Sequence, residues 1–474
     1  MFYVIFTLIL VILCATLYYK KEWFKNKEKN NNYIKLLVLI FVFIAFINVF
    51  LPDGFAYRFI DNFELLKETH NPLHAILRGF YAMSIIVLPI AVFFKKKSFI
   101  KVTTYITLPT ILLNIIFYFQ YISYYTSPLT EKASVFGVAL LPFTTNVVFR
   151  SIIFGLIMGL ALIISLYVIL NNKDKLKFTC KKEVFNFIIL SISLFISNMP
   201  IYTIQQITGD VTNITFNFMD PMHFIYMVFI VMEVLVLTLI FKNKSYDDKY
   251  ILLLVLSLSL LFQYNSFFKT EGVITATRYP LQLCNIAGAF ILITLITKNE
   301  KMFHFTAVVN VTGALIAIIL CDSTKDVGFL YSMNIHYMTE HTNVLIIPLL
   351  ALILGVFKPL KISDIKHFFI GFTIYYLSVF VIGTILNGLA SLTGNGYFSC
   401  NYLFMFNKDA ATRLIGSWVG ILFDIKLVIL NYFEIHLVQI LVYVAFLVVC
   451  ALIFFGLYAI FRRKVDNNNA TYSS

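Results

Sequence analysis

Apolar stretches of membrane-spanning length alternate with short polar linkers along the whole chain, and the linkers alternate between lysine-rich and lysine-poor. A helix needs about 20 apolar residues to cross a hydrocarbon core of roughly 30 Å. On that measure the pattern predicts thirteen helices, near 2–19, 33–52, 73–94, 102–123, 145–170, 184–205, 222–241, 250–268, 279–297, 303–321, 334–357, 366–390 and 435–461. These are continuous runs rather than alternating segments of about ten residues, which favours helices over a barrel. The fold class expected is an all-α, polytopic helical membrane protein.

The linkers set its orientation. The first carries Lys20, Lys21, Lys25, Lys27 and Lys29, and the next mixes Asp53, Asp61, Glu64 and Glu68 with Arg58 and Lys67. Lys95–Lys101 is basic again, and the alternation runs on to Arg462, Arg463 and Lys464. Lys and Arg accumulate in short cytoplasmic loops. The N-terminus is therefore expected outside the cell membrane and the C-terminus in the cytoplasm. The first stretch has no basic residue before it and no A-x-A-like site, so it reads as an uncleaved anchor.

Twelve stretches remain after the anchor and divide into two parallel sets of six. Pro72-Leu73-His74 and Pro280-Leu281-Gln282 open corresponding stretches, and Thr145-Asn146-Val147 pairs with Thr342-Asn343-Val344. Asn213–Phe218 and Asn401–Phe406 are polar, aromatic-rich stretches before the last helix of each set. The predicted organisation is an anchor with its basic loop (1–32), a degenerate first repeat (33–249), a second repeat (250–464) and a disordered tail (465–474).

Composition agrees: 60% of the residues are hydrophobic and 13% charged, too little polar surface to cover a soluble globule of this size. The net charge of +13 gathers on the cytoplasmic linkers. It marks topology and contact with anionic headgroups rather than nucleic acid; the expected partners are membrane lipids. The six cysteines show no C-x-x-C spacing, so zinc ligation has no support and neither a metal nor a cofactor is expected. Cys321 and Cys400 both fall near the outer face, as a disulfide would require.

Polar groups inside membrane helices are candidate sites because burying them unpaired is expensive. The second repeat concentrates them. Cys284 is about five residues into one stretch and His341 about seven into another, which is matched depth at 1.5 Å per residue. A thiol and an imidazole at one depth form a nucleophile–base pair. Cys284 also shares a face with Ala287 and Gly288, as close helix packing would use. Glu340, Asn343 and Tyr337 surround His341, and His336 lies one turn from Glu340. Arg150 and Glu233 are intramembrane charges that would pair within the bundle or with other charges of opposite sign, while Asn387 and Asn401 flank the last outer loop. Gly-rich phosphate loops, H-E-x-x-H and G-x-S-x-G are absent.

Those residues carry a resemblance. Residues 250–461 resemble the YwaF-like family of bacterial integral membrane proteins, relatives of a eukaryotic multi-pass protein implicated as a phospholipid acyltransferase. The family's Leu-Pro-Leu-His-x-Cys stretch corresponds to Tyr279-Pro280-Leu281-Gln282-Leu283-Cys284. Its later His corresponds to His341, and its Asn-Tyr-Met-Phe-like stretch to Asn401-Tyr402-Leu403-Phe404, followed by Lys408. Gln282 stands where the family has His, and Thr342 where Gly is common. In the first repeat Ile76 takes the Cys position and Thr144 stands near that of the His. The resemblance implies a lipid acyltransferase or related acyl-handling enzyme, with Cys284 taking the acyl group and His341 as general base. Gln282, Asn343, Asn401 and Glu340 would bind substrate or stabilise an oxyanion. The residues by themselves equally fit a transporter or lipid-binding permease with two six-helix halves, or a non-catalytic membrane assembly protein.

Overall fold

A computed structural model describes residues 27–49, 72–118, 146–199, 218–266, 281–320 and 332–472, together with Thr203, Phe216 and Ala276. Helices coincide with twelve of the thirteen predicted stretches; the anchor near 2–19 lies outside the described residues, as do Pro280, Thr144, Thr145 and Cys321. Among the described residues, seven helices are long and apolar enough to cross a membrane, with shorter apolar helices at Asn32–Asn48 and Leu283–Thr297. The protein is a predominantly helical multi-pass membrane protein. The chain divides into two compact units.

The first unit holds α1 (Lys27–Val49), α2 (Pro72–Phe94), α3 (Lys97–Ile116), α4 (Val147–Asn171) and α5 (Lys181–Asn198). Pro72 opens α2 where a missing N–H costs nothing. In α3, Pro109 removes a donor and crowds the preceding turn; the helix widens to a π-turn over Thr103–Thr107 just upstream. Asn146 caps α4, its Oδ1 accepting from the N–H groups of Val148 and Phe149 at 2.9 and 3.1 Å. Gly79 of α2 lets Phe195 of α5 approach so closely that a Cβ there would lie 2.6 Å from the ring.

The predicted basic linker Lys95–Lys101 is only partly a linker. Lys97 and Lys101 are helical, and Lys101 is 1% exposed. Its ammonium meets Glu183 at 2.8 Å, donates to the Lys177 carbonyl at 2.9 Å and lies over the Phe178 ring at 4.0 Å. A buried lysine survives because all its hydrogen-bonding capacity finds partners of opposite polarity. Lys101, and then Lys97, hold the Glu183 carboxyl well below the usual carboxylate range.

The second unit contains α6 (Pro221–Phe241), α7 (Tyr246–Ser266) up to Leu261, α8 (Leu283–Thr297), α9 (Glu300–Leu320) and α10 (Ser332–Ile353) from Tyr337 onward. It continues with α11 (Ile365–Thr393), α12 (Lys408–Ile415), α13 (Val419–Asp424), β1 (Lys426–Ile429), β2 (Phe433–His436) and α14 (Leu437–Tyr472). Lys298, in the left-handed region, turns α8 back along α9. The two helices then pack closely, with Leu283 against Gly313 and the hydroxyls of Thr294 and Thr306 3.4 Å apart. Only 11% of the apolar stretch of α6 and 17% of that within Leu437–Phe461 of α14 is buried, and their exposed surface is mainly Ile, Leu, Val and Phe, as contact with lipid tails requires.

Two expectations change here. The fold is not purely helical: β1 and β2 form an antiparallel hairpin between α13 and α14, with Ile429 opposite Phe433. Leu430 and Asn431 both have positive φ, the conformation of a type I′ turn, between strands rich in β-branched and aromatic residues. The tail predicted to be disordered from Val465 is instead taken up in α14, which runs to Tyr472. Extending a preformed helix by one residue avoids the nucleation penalty, so polar sequence can continue an apolar helix.

Candidate active site

The second unit brings three of the predicted residues together. Cys284 is the second residue of α8, and its neighbours in space are Glu340 and His341 of α10. Sγ of Cys284, a carboxylate oxygen of Glu340 and a ring nitrogen of His341 all lie within 4.8 Å of one another. Glu340 and His341 are buried, and Cys284 is half-buried. Successive residues on a helix point about 100° apart. Glu340 and His341 therefore approach the thiol from two directions. The thiol itself donates to Asn285 Oδ1 at 3.1 Å.

The imidazole has a defined proton. Nδ1 of His341 is 2.7 Å from the Tyr337 carbonyl oxygen, one turn back in α10. A carbonyl only accepts, so Nδ1 carries the hydrogen and Nε2 keeps the lone pair. The Tyr337 ring also lies tilted against the imidazole, centroids 4.3 Å apart, and its hydroxyl donates to the Ala317 carbonyl at 2.5 Å. Tyr226 of α6 donates to the Met338 carbonyl at 3.0 Å and accepts from the Thr342 hydroxyl at 3.1 Å. In α11, Tyr375 donates to the Leu281 carbonyl at 2.7 Å, just before Cys284. These tyrosines hold the helix ends that present the three groups. Their signal in the sequence is a hydroxyl within an apolar stretch, which must find an acceptor nearby.

The remaining predicted residues are engaged elsewhere. Gln282 stands at the N-cap position of α8 and clamps the segment between α11 and α12: its Nε2 donates to the Asn401 carbonyl at 2.8 Å, and its Oε1 accepts from the Leu403 N–H at 2.9 Å. Asn401 Oδ1 accepts from the N–H groups of Phe406 and Asn407. Asn387 grips Cys400 from both sides, donating to its carbonyl at 3.1 Å and accepting from its N–H at 3.1 Å. Asn343 donates to the Thr339 carbonyl within its own helix. Lys408 pairs with Asp424. Arg150 is buried in the first unit and Glu233 half-buried in the second. Cys400 is a buried free thiol. Gln282, Asn387 and Asn401 thus shape the loop beside the site.

This unit is also where similarity to known proteins falls. A model of the TMEM164 family matches residues 218–454, half of the chain. The chain belongs to the TMEM164 family. The TMEM164 match opens upstream of the 250–461 expected from the sequence resemblance, taking in α6 and its Tyr226, and covers Cys284, Glu340 and His341. No curated protein and no solved structure matches the chain.

The chemistry available follows from the donor set. A thiol beside an imidazole whose Nδ1–H is held by a backbone carbonyl is equipped for nucleophilic attack on a carbonyl. A thiol, a carboxylate and an imidazole within 4.8 Å are equally a set of metal ligands. Local spacing hid this second capacity, because the three atoms come from two helices far apart in sequence.

Proposed function

We propose that this TMEM164-family protein is a membrane enzyme that transfers acyl chains between lipids, with Cys284 as nucleophile and His341 as general base. The observation carrying the proposal is the convergence of Sγ, the Glu340 carboxyl and a His341 nitrogen within 4.8 Å, with Nδ1–H already committed to the Tyr337 carbonyl. Nε2 of His341 takes the Cys284 proton as sulfur attacks the ester carbonyl of a donor lipid. The proton then passes to the departing lipid alkoxide, leaving a thioester on Cys284. An acceptor hydroxyl gives its proton to Nε2 and attacks the thioester, and the proton returns to sulfur as the new ester leaves.

The same reading takes the chain as thirteen helices with the N-terminus outside, two parallel six-helix repeats after an anchor, and the YwaF-like proteins as relatives. The alternating basic linkers and the matched Pro72-Leu73-His74 and Pro280-Leu281-Gln282 stretches support it. The substrates are then lipids of the outer leaflet entering between helices.

Full-length protein reconstituted in vesicles with a fluorescent phospholipid donor and a lysophospholipid acceptor tests the proposal. Cys284→Ala and His341→Ala, each melting like the parent, are expected to lose transfer by roughly 10²-fold or more. Undiminished transfer in either variant overturns the assignment. So does ion-coupled uptake by a parent that transfers nothing, which is the permease outcome.

A further inference from the structure

We infer that Cys284, Glu340 and His341 form a site for a divalent transition-metal cation of the Zn²⁺ type, and that the metal-bound state is closed to acyl transfer. Among the described residues, their three ligand atoms all lie within 4.8 Å of one another. In a tetrahedral zinc site, Zn–S is about 2.3 Å and Zn–N or Zn–O about 2.0–2.2 Å, which sets donors roughly 3.3–3.7 Å apart. Closing around an ion therefore takes movements of about 1–1.5 Å, within the reach of side-chain torsions. The fourth position is left for water or a substrate oxygen, as in zinc sites with three protein ligands.

Two further features point to a cation. The first is the imidazole: a metal-binding histidine commonly donates its second N–H to a backbone carbonyl, which fixes the tautomer and aims the lone pair. His341 does this through Tyr337. The second is charge. The Cys284 thiol and Glu340 carboxyl, side by side among apolar helices, cannot both ionise without compensation, and a divalent cation would neutralise both anions while His341 stays neutral. The mixed S, N and O donors select against Mg²⁺ and Ca²⁺, which prefer oxygen alone.

Acyl transfer and metal binding compete for the same lone pairs. A coordinated Nε2 cannot accept the Cys284 proton, and coordinated sulfur is a weaker nucleophile. The second half of the inference rests on the acyltransferase proposal; the metal site does not.

Co²⁺ titration of chelator-stripped, full-length protein in detergent tests it. The expected result is one Co²⁺ per chain with a near-ultraviolet thiolate-to-cobalt charge-transfer band, displaced by Zn²⁺ and not by Mg²⁺. Cys284→Ser is expected to abolish the band, and Glu340→Gln to weaken Co²⁺ binding at least about tenfold with melting in the metal-free state unchanged. A parent without the band at saturating Co²⁺, or a band persisting in Cys284→Ser, overturns the site. Stripped protein should transfer acyl groups and Zn²⁺-loaded protein should not; equal transfer by both overturns the inhibitory role. Cobalt binding by a stripped protein that transfers nothing sinks the acyltransferase alone. Transfer without a cobalt band sinks the metal site alone.

Discussion

Replacing Gln282 by Ala is expected to free the loop that borders the site. The side chain makes two hydrogen bonds, to the Asn401 carbonyl at 2.8 Å and from the Leu403 N–H at 2.9 Å. Each backbone group left unpaired when buried costs about 1–3 kcal/mol. Leu403 is 4% exposed, so its N–H takes most of that penalty, whereas Asn401 is half-buried and recovers part of it from water. Leu403 also has φ 53°, a left-handed conformation, but that strain is released on opening in parent and variant alike and cancels in the comparison. The net destabilisation of the loop is then about 2–3 kcal/mol. The buried thiol of Cys400, next to Asn401 and gripped by Asn387, reports it directly. If alkylation proceeds through local opening, its rate at Cys400 should rise roughly 30- to 160-fold, read peptide by peptide in detergent-solubilised protein. Gln282→His keeps one donor and one acceptor and should fall between parent and Ala. A Cys400 alkylation rate unchanged in Gln282→Ala would refute the clamp.

Other consequences follow from single contacts. Gly383→Ala would drive a Cβ into the Phe406 ring at the far end of the same loop; it should cost about 1–3 kcal/mol in thermal unfolding, and combined with Gln282→Ala less than the sum. Gly371→Ala puts a Cβ 2.7 Å from Cδ2 of Phe305 and should destabilise the α9–α11 contact by a similar amount, without changing Cys400 alkylation. Because Lys101 and Lys97 lower the Glu183 pKa in the folded state, their stabilisation is complete above the ordinary Glu value of roughly 4.3. It is lost as pH falls from there toward the depressed value, so Glu183→Gln should flatten the acid limb of a stability–pH profile; an unchanged limb would refute the linkage.

Helices were legible in the sequence because a membrane span must be both continuous and apolar, and Val147–Asn171 or Pro221–Phe241 can hardly be read otherwise. Their ends were less legible, since Lys97 and Lys101 read as linker until Glu183 and Phe178 are seen to receive them. The hairpin escaped for a different reason. Four-residue strands at Lys426–Ile429 and Phe433–His436 lie within apolar sequence that a hydropathy window cannot distinguish from an interfacial helix. At the site, depth along each helix suggested that Cys284 and His341 could meet, because depth is additive in residue number. Azimuth is not: which way a side chain points within the bundle depends on partners such as Tyr226, Tyr337 and Tyr375, whose hydroxyls bond to backbone carbonyls that no sequence pattern identifies. Hence Glu340 and Gln282 read alike in the sequence, both as residues that would bind substrate or stabilise an oxyanion. Their three-dimensional roles differ: Glu340 stands against the thiol, and Gln282 faces the loop.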